Sequence, residues 1–235
     1  MFLDLGLDTV RVLPIAHRKE AGHEENLRAV AEASAVFFTG GDQLRIVSIL
    51  GGTSLWEALQ AAYKRGVPFM GTSAGASVMS DTMIVEGLDD EPPVTCTVKM
   101  APGLGLLEEV VIDQHFAQRG RIGRLLMAIA QNPYVIGLGL DEDTAALIDE
   151  RGCVEIMGSQ TAIIVDGSGA EHTNVSDSRA QEPLAFSGVM LHVLPAGYGY
   201  DLFDRRCFTP EENSGLGGRG AGEYRKGRNG KEATR

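Results

Sequence analysis

The chain has 235 residues, 43% apolar and 23% charged; this ordinary globular usage argues against disorder, collagen or coiled coil for the bulk of it, and the length suits one larger α/β domain with a sizeable core. Its 21 Lys and Arg against 32 Asp and Glu leave a net charge of −11, which repels phosphate backbones and anionic lipid, so neither nucleic acid nor a membrane surface is an expected partner. Cys96, Cys153 and Cys207 are odd in number, widely spaced and without C-x-x-C pairing, so neither a disulfide framework nor a zinc site is expected. No apolar run approaches the ~18 residues of a membrane span, and Asp4, Asp8 and Arg11 interrupt what would be a signal peptide, so a cytoplasmic chain is expected.

Thr9 to Ile15 reads as a strand, Glu24 to Ala33 as a helix by its apolar spacing, and Ala35 to Phe38 as a second strand. The rhythm repeats: Ser54 and Glu57 form a capping box, Leu55, Leu59, Ala62 and Tyr63 make a helical stripe, Gly66 stops it, and Val67 to Met70 is a strand. This βαβ pattern predicts an α/β fold with a mostly parallel central sheet. Between Asp81 and Pro102 the pattern lapses into an acidic, proline-containing stretch that reads as a surface loop. A strand at Glu109 to Asp113, a helix near Gly120 to Gln131 and a strand at Val135 to Asp141 follow, then short strands around 145–148, 154–157, 162–165 and 190–194. A folded body over 1–210 thus precedes residues 211–235, which hold seven glycines and six basic against four acidic residues; such a tail buries too little apolar surface to order itself.

The chemistry starts at Gly71-Thr72-Ser73-Ala74-Gly75, between a strand and a helix start. A G-x-S-x-G turn there is a nucleophile elbow, in which small neighbours allow a sharp turn that exposes the serine; the same glycines would also serve a plain close-packed turn. A serine hydroxyl needs a base. Of five histidines, His17, His23 and His172 lie in polar connections and His192 inside a strand, whereas His115 follows a strand at its carboxyl end, the edge where parallel sheets bind ligands. The base needs an orienting carboxylate, and the acids closing the strand before Thr144 offer Asp141 or Glu142 equally. Gly40 and Gly41 let the backbone approach a ligand, so the N–H of Gly41 with that of Ala74 could form an oxyanion hole. Arg119, Arg121 and Arg124 cluster at a helix start and suit carboxylate recognition.

Together, GGDQLR at 40–45, GTSAGAS at 71–77, DQHFAQRGRIGRL at 113–125 and GLGLDEDTA at 137–145 resemble the cyanophycinase family of serine peptidases, which includes aspartyl dipeptidases. The resemblance implies a three-layer α/β sandwich like that of class I glutamine amidotransferases. It implies hydrolysis of cyanophycin, an arginine-bearing poly-aspartate, to β-aspartyl-arginine, with Ser73 as nucleophile, His115 as base and Glu142 as orienting acid. It also implies a pocket lined by Gln43, Asp113, Gln114, Arg119, Arg121 and Arg124, no metal or cofactor, and a homodimer. An aspartyl dipeptidase or a non-catalytic binding module are the alternatives. Members of that family usually open with a further strand and helix, and the chain is expected to lack that unit.

Overall fold

The computed structural model describes residues 2–212; beyond its first two residues, the tail expected over 211–235 lies outside them. The chain divides into two compact units, Met1–Val85 with Lys99–Val111 and Glu86–Val98 with Ile112–Arg235.

In the first unit the alternation that predicted helices is realised. Helix α1 (Glu24–Glu32) is followed by strand β1 (Val36–Phe38), helices α2 (Gln43–Leu50) and α3 (Ser54–Lys64), strand β2 (Phe69–Gly71), the short helix α4 (Ala74–Ser77) and strands β3 (Thr82–Glu86) and β4 (Lys99–Pro102). Val30 of α1, Leu55, Leu59 and Ala62 of α3 and Met83 of β3 meet in one apolar core. Each of the larger side chains among them contributes about 1.5–3 kcal/mol by leaving water. β1 and β2 pair in parallel, Val36 opposite Phe69 and Phe38 opposite Gly71, which the long α2–α3 crossover allows.

Four local points differ from the sequence reading. Thr9 to Ile15 forms no ladder among the described residues, although Leu13 and Ile15 pack on the core; apolar alternation makes an extended segment, but a strand also needs a partner. Residues 43–50, for which the sequence reading predicts no element, form helix α2 because the Asp42 carboxylate caps it by accepting from the Arg45 N–H. The cap of α3 is Thr53 rather than Ser54, its hydroxyl accepting from the Trp56 N–H. The expected loop between Asp81 and Pro102 begins and ends in paired strands, β3 and β4, because Met83 and Ile84 are buried.

Strand β5 (Val110–Gln114) leads into the second unit, which continues with α5 (Ile122–Gln131), β6 (Ile136–Leu140), β7 (Thr144–Ile148), β8 (Cys153–Gly158), β9 (Thr161–Asp166), β10 (His172–Thr173), β11 (Phe186–Ser187), β12 (Met190–Pro195), β13 (Gly199–Asp201) and β14 (Arg206–Phe208). Apart from the β10–β11 pair, the strands form four-stranded sheets in the orders β12-β9-β6-β5 and β14-β13-β8-β7. The mostly parallel sheet expected from the sequence is corrected here: β6–β9, β9–β12, β7–β8, β8–β13 and β13–β14 all pair antiparallel. The physical reason lies in connections such as 149–152 and 202–205, which are too short to return a chain for parallel pairing. Asp149 and Asp201 stabilise those turns by accepting from Arg151 N–H and from Phe203 and Asp204 N–H respectively. The architecture is therefore mixed α/β with several sheets. No helix among the described residues is long and apolar enough to cross a membrane.

Candidate active site

In the first unit Ser73 sits between the end of β2 and the start of α4 with φ 54° and ψ −123°. For a residue with a Cβ this conformation costs about 1–3 kcal/mol and persists only where the surroundings enforce it. The enforcement is steric. A Cβ at Gly71 would lie 2.2 Å from the Gly75 carbonyl oxygen, and one at Gly75 would lie 2.3 Å from that of Phe38. The Thr72 N–H also donates to the Phe38 carbonyl at 3.1 Å, so the turn is pressed against β1. The turn after β1 lies beside the serine, since a Cβ at Gly40 would stand 3.3 Å from Ser73 Cβ. Gly41 has φ +138°, and Ala74, as the first residue of α4, has its N–H ahead of any intrahelical acceptor. Gln43 donates its side-chain amide to the Ile84 carbonyl at 2.9 Å, which fixes the orientation of that side chain.

In the second unit His115 follows β5, also at positive φ, 53°. Its Nδ1 is 2.9 Å from Glu142 Oε1. The bond follows from the register around it: the Phe116 N–H donates to the Leu140 carbonyl at 3.0 Å, which draws the end of β5 onto the end of β6. The Glu142 N–H is held by Gln118 Oε1 at 3.1 Å. Asp141, the other acid left open by spacing, is spent elsewhere. Its Oδ1 accepts from the Ala117 N–H, and its Oδ2 from both the N–H and the hydroxyl of Thr161. With Nδ1–H donated to Glu142, the lone pair of the imidazole is left on Nε2, the arrangement of a general base.

The binding residues implied by resemblance divide by exposure. Arg119 is 52% exposed, whereas Asp113, Arg121 and Arg124 are 0%, 7% and 8% exposed. Arg124 pairs with Asp113 side-on through Nε and NH2, and Arg121 NH1 reaches both Asp113 Oδ1 and the Gln114 carbonyl. Gln114 is half-buried. Sequence reading missed the pairing by which Asp89 closes this arginine pair, and it missed Gln118. Neither carries a local signal, since an acid in a polar loop and a glutamine before an arginine are ordinary surface residues.

A strained serine on a strand-turn-helix elbow and a histidine oriented by a carboxylate are the parts of a serine hydrolase. Comparison with known proteins agrees. The model of peptidase family S51 matches residues 1–156. A cyanophycinase of Geminocystis herdmanii is 39% identical over 211 residues, covering 89% of this chain and 76% of its own. One from Trichormus variabilis is 38% identical over 206 residues, covering 87% and 69%. A solved peptidase from an acI-B1 actinobacterium shares the fold, with TM-score 0.58, 22% identity and coverage of 80% of this chain and 68% of that one. The chain belongs to peptidase family S51, and it is a serine-type peptidase.

Proposed function

We propose that the chain hydrolyses cyanophycin to β-aspartyl-arginine dipeptides, with Ser73 as nucleophile, His115 as general base and Glu142 as the acid that orients it. The observation that carries this reading is the His115–Glu142 bond of 2.9 Å, formed while Asp141 is occupied by backbone and Thr161. In this mechanism His115 Nε2 takes the Ser73 hydroxyl proton as Oγ attacks the peptide carbonyl, then gives it to the leaving amine; water repeats the sequence on the acyl-enzyme. The N–H groups of Ala74 and Gly41 would hold the oxyanion. Arg119, Gln43 and Gln114 are the contacts assigned to substrate, while Asp113, Arg121 and Arg124 are buried against one another and support that assignment only through the backbone of Gln114. Each arginine attached through the β-carboxyl of an aspartate leaves its own α-carboxylate free, so the polymer offers repeated carboxylates to an exposed arginine. In the same reading the enzyme works as a cytoplasmic homodimer, without metal, on a scaffold related to that of class I glutamine amidotransferases.

The test is incubation of the folded chain with cyanophycin, wild type beside Ser73→Ala, with soluble products identified by mass spectrometry. Release of β-aspartyl-arginine by wild type and a loss of about 10³-fold or more in the variant are expected. Cleavage of free aspartyl dipeptides with no attack on the polymer would instead favour the dipeptidase reading, and no turnover of either would favour a binding module.

A further inference from the structure

The acidic stretch at 87–93 is no free loop within the second unit; it is laid flat on the start of α5. The Asp90 N–H donates to the Arg119 carbonyl at 3.0 Å. A Cβ at Gly120 would stand 2.7 Å from Asp90 Oδ1, and one at Gly123 only 2.2 Å from the Glu91 carbonyl oxygen, so glycine at both positions permits the approach. From this strap Asp89 faces the arginines. Its Oδ1 accepts from Arg121 Nε at 2.9 Å and Arg124 NH1 at 3.2 Å, and its Oδ2 from Arg121 NH2 at 3.4 Å. Asp89 and Asp113 thereby balance two guanidinium groups that are each more than nine-tenths buried.

The cluster reaches the chemistry through one contact. Arg121 NH1 donates to the Gln114 carbonyl at 2.6 Å, and that carbonyl belongs to the peptide whose N–H is His115's own. His115 has φ 53°, a conformation that a residue with a Cβ keeps only when it is held. On its other side the His115 carbonyl accepts from the Arg119 N–H at 3.1 Å. The histidine backbone is thus gripped before and after, and the grip before it is Arg121. Without the Asp89 charge, two buried guanidiniums share one carboxylate. An uncompensated buried charge is unfavourable, and Arg121 relieves it by turning towards water, releasing Gln114.

We infer that Asp89 is a positioning residue for the His115 base, acting through Arg121 and the Gln114 carbonyl. The inference rests on the reading of His115 as general base.

The experiment measures kcat and KM on cyanophycin for wild type, Asp89→Asn, Asp89→Glu and Ser73→Ala, each per folded molecule as counted by circular dichroism. Asp89→Asn is expected to lower kcat about tenfold or more with KM within about twofold, and Asp89→Glu, which keeps the charge, to return kcat to within about threefold of wild type. An unchanged kcat, a rise in KM alone, or a kcat as low in Asp89→Glu as in Asp89→Asn would overturn it. Activity surviving in Ser73→Ala overturns the triad and this inference with it, whereas a dead Ser73→Ala beside a fully active Asp89→Asn overturns the inference alone.

Discussion

Glu142 Oε1 lies 2.9 Å from His115 Nδ1, while the adjacent Asp141 turns the other way and accepts from Ala117 and Thr161. Two acids next to each other in sequence therefore do unlike work, one on an imidazole and one chiefly on the backbone that shapes the turn.

Substitution separates these two roles. Glu142→Gln keeps the shape but removes the charge that stabilises an imidazolium, so kcat is expected to fall about 10²–10⁴-fold with little change in thermal stability, because Glu142 is 58% exposed. Asp141→Ala leaves the Ala117 and Thr161 N–H groups without their acceptor and is expected to cost about 1–3 kcal/mol of stability. Denaturant unfolding beside steady-state kinetics checks both; equal effects of the two variants on kcat and stability would contradict the division.

The arginines should divide in the same way. Arg119→Ala removes an exposed group 3.9 Å from Asp89; exposed pairs of this kind are worth about 0–1 kcal/mol, so the melting temperature is expected to hold while KM for cyanophycin rises. Arg124→Met strands the fully buried Asp113 with part of its pairing and is expected to cost about 3–5 kcal/mol. Thermal melts and KM measured on the same samples decide, and a destabilised Arg119→Ala would show that its contact with Asp89 holds the fold.

Acid should attack the second unit at Asp166. This carboxylate is fully buried. Burial raises its pKa, but the Ser168 N–H, the Tyr200 hydroxyl and the charge of Arg205 together outweigh burial and hold it below its ordinary value. A carboxyl whose pKa is lowered by folding adds stability above the unfolded value of about 3.9 and loses it as pH falls through the folded value. Tyr200→Phe removes one of the hydrogen bonds, so the folded pKa rises, the stabilisation shrinks, and the acid-unfolding midpoint is expected to move to higher pH. The loss near neutral pH should be about 1–3 kcal/mol. A pH series of denaturant titrations measures it; a midpoint that stays put would show that Tyr200 leaves the carboxylate unaffected. Tyr200 itself is pushed well above the ordinary phenol range by burial and by Asp166, so its hydroxyl remains a donor across the whole series.

Much of this molecule is written in short-range pattern. The stripe Leu55, Leu59, Ala62 and Gly66 predicts α3 and its end, because helical periodicity and a left-handed terminator act within a few residues. The elbow is legible for the same reason: Gly71 and Gly75 are dictated by clashes with backbone a few residues away or on the adjoining strand. Ser73 and His115 could both be picked out by their positions at strand ends. The four ordered motifs, read as a resemblance, led to the family that the comparisons show.

Tertiary structure alone decided the rest, because it depended on partners far away in the chain. Spacing cannot tell Asp141 from Glu142, and only the family resemblance favoured Glu142; the physical reason came with the fold, where the Phe116–Leu140 hydrogen bond and the arrival of Thr161 from β9 give each acid its partner. Periodicity within a strand carries no sign of pairing direction, so the antiparallel sheets emerged only with the short connections that force them. Asp89 looks like any loop acid, and its role exists because two arginines 32 and 35 residues later turn their guanidinium groups towards it. A residue's chemistry is local, but the charge that it must balance is not.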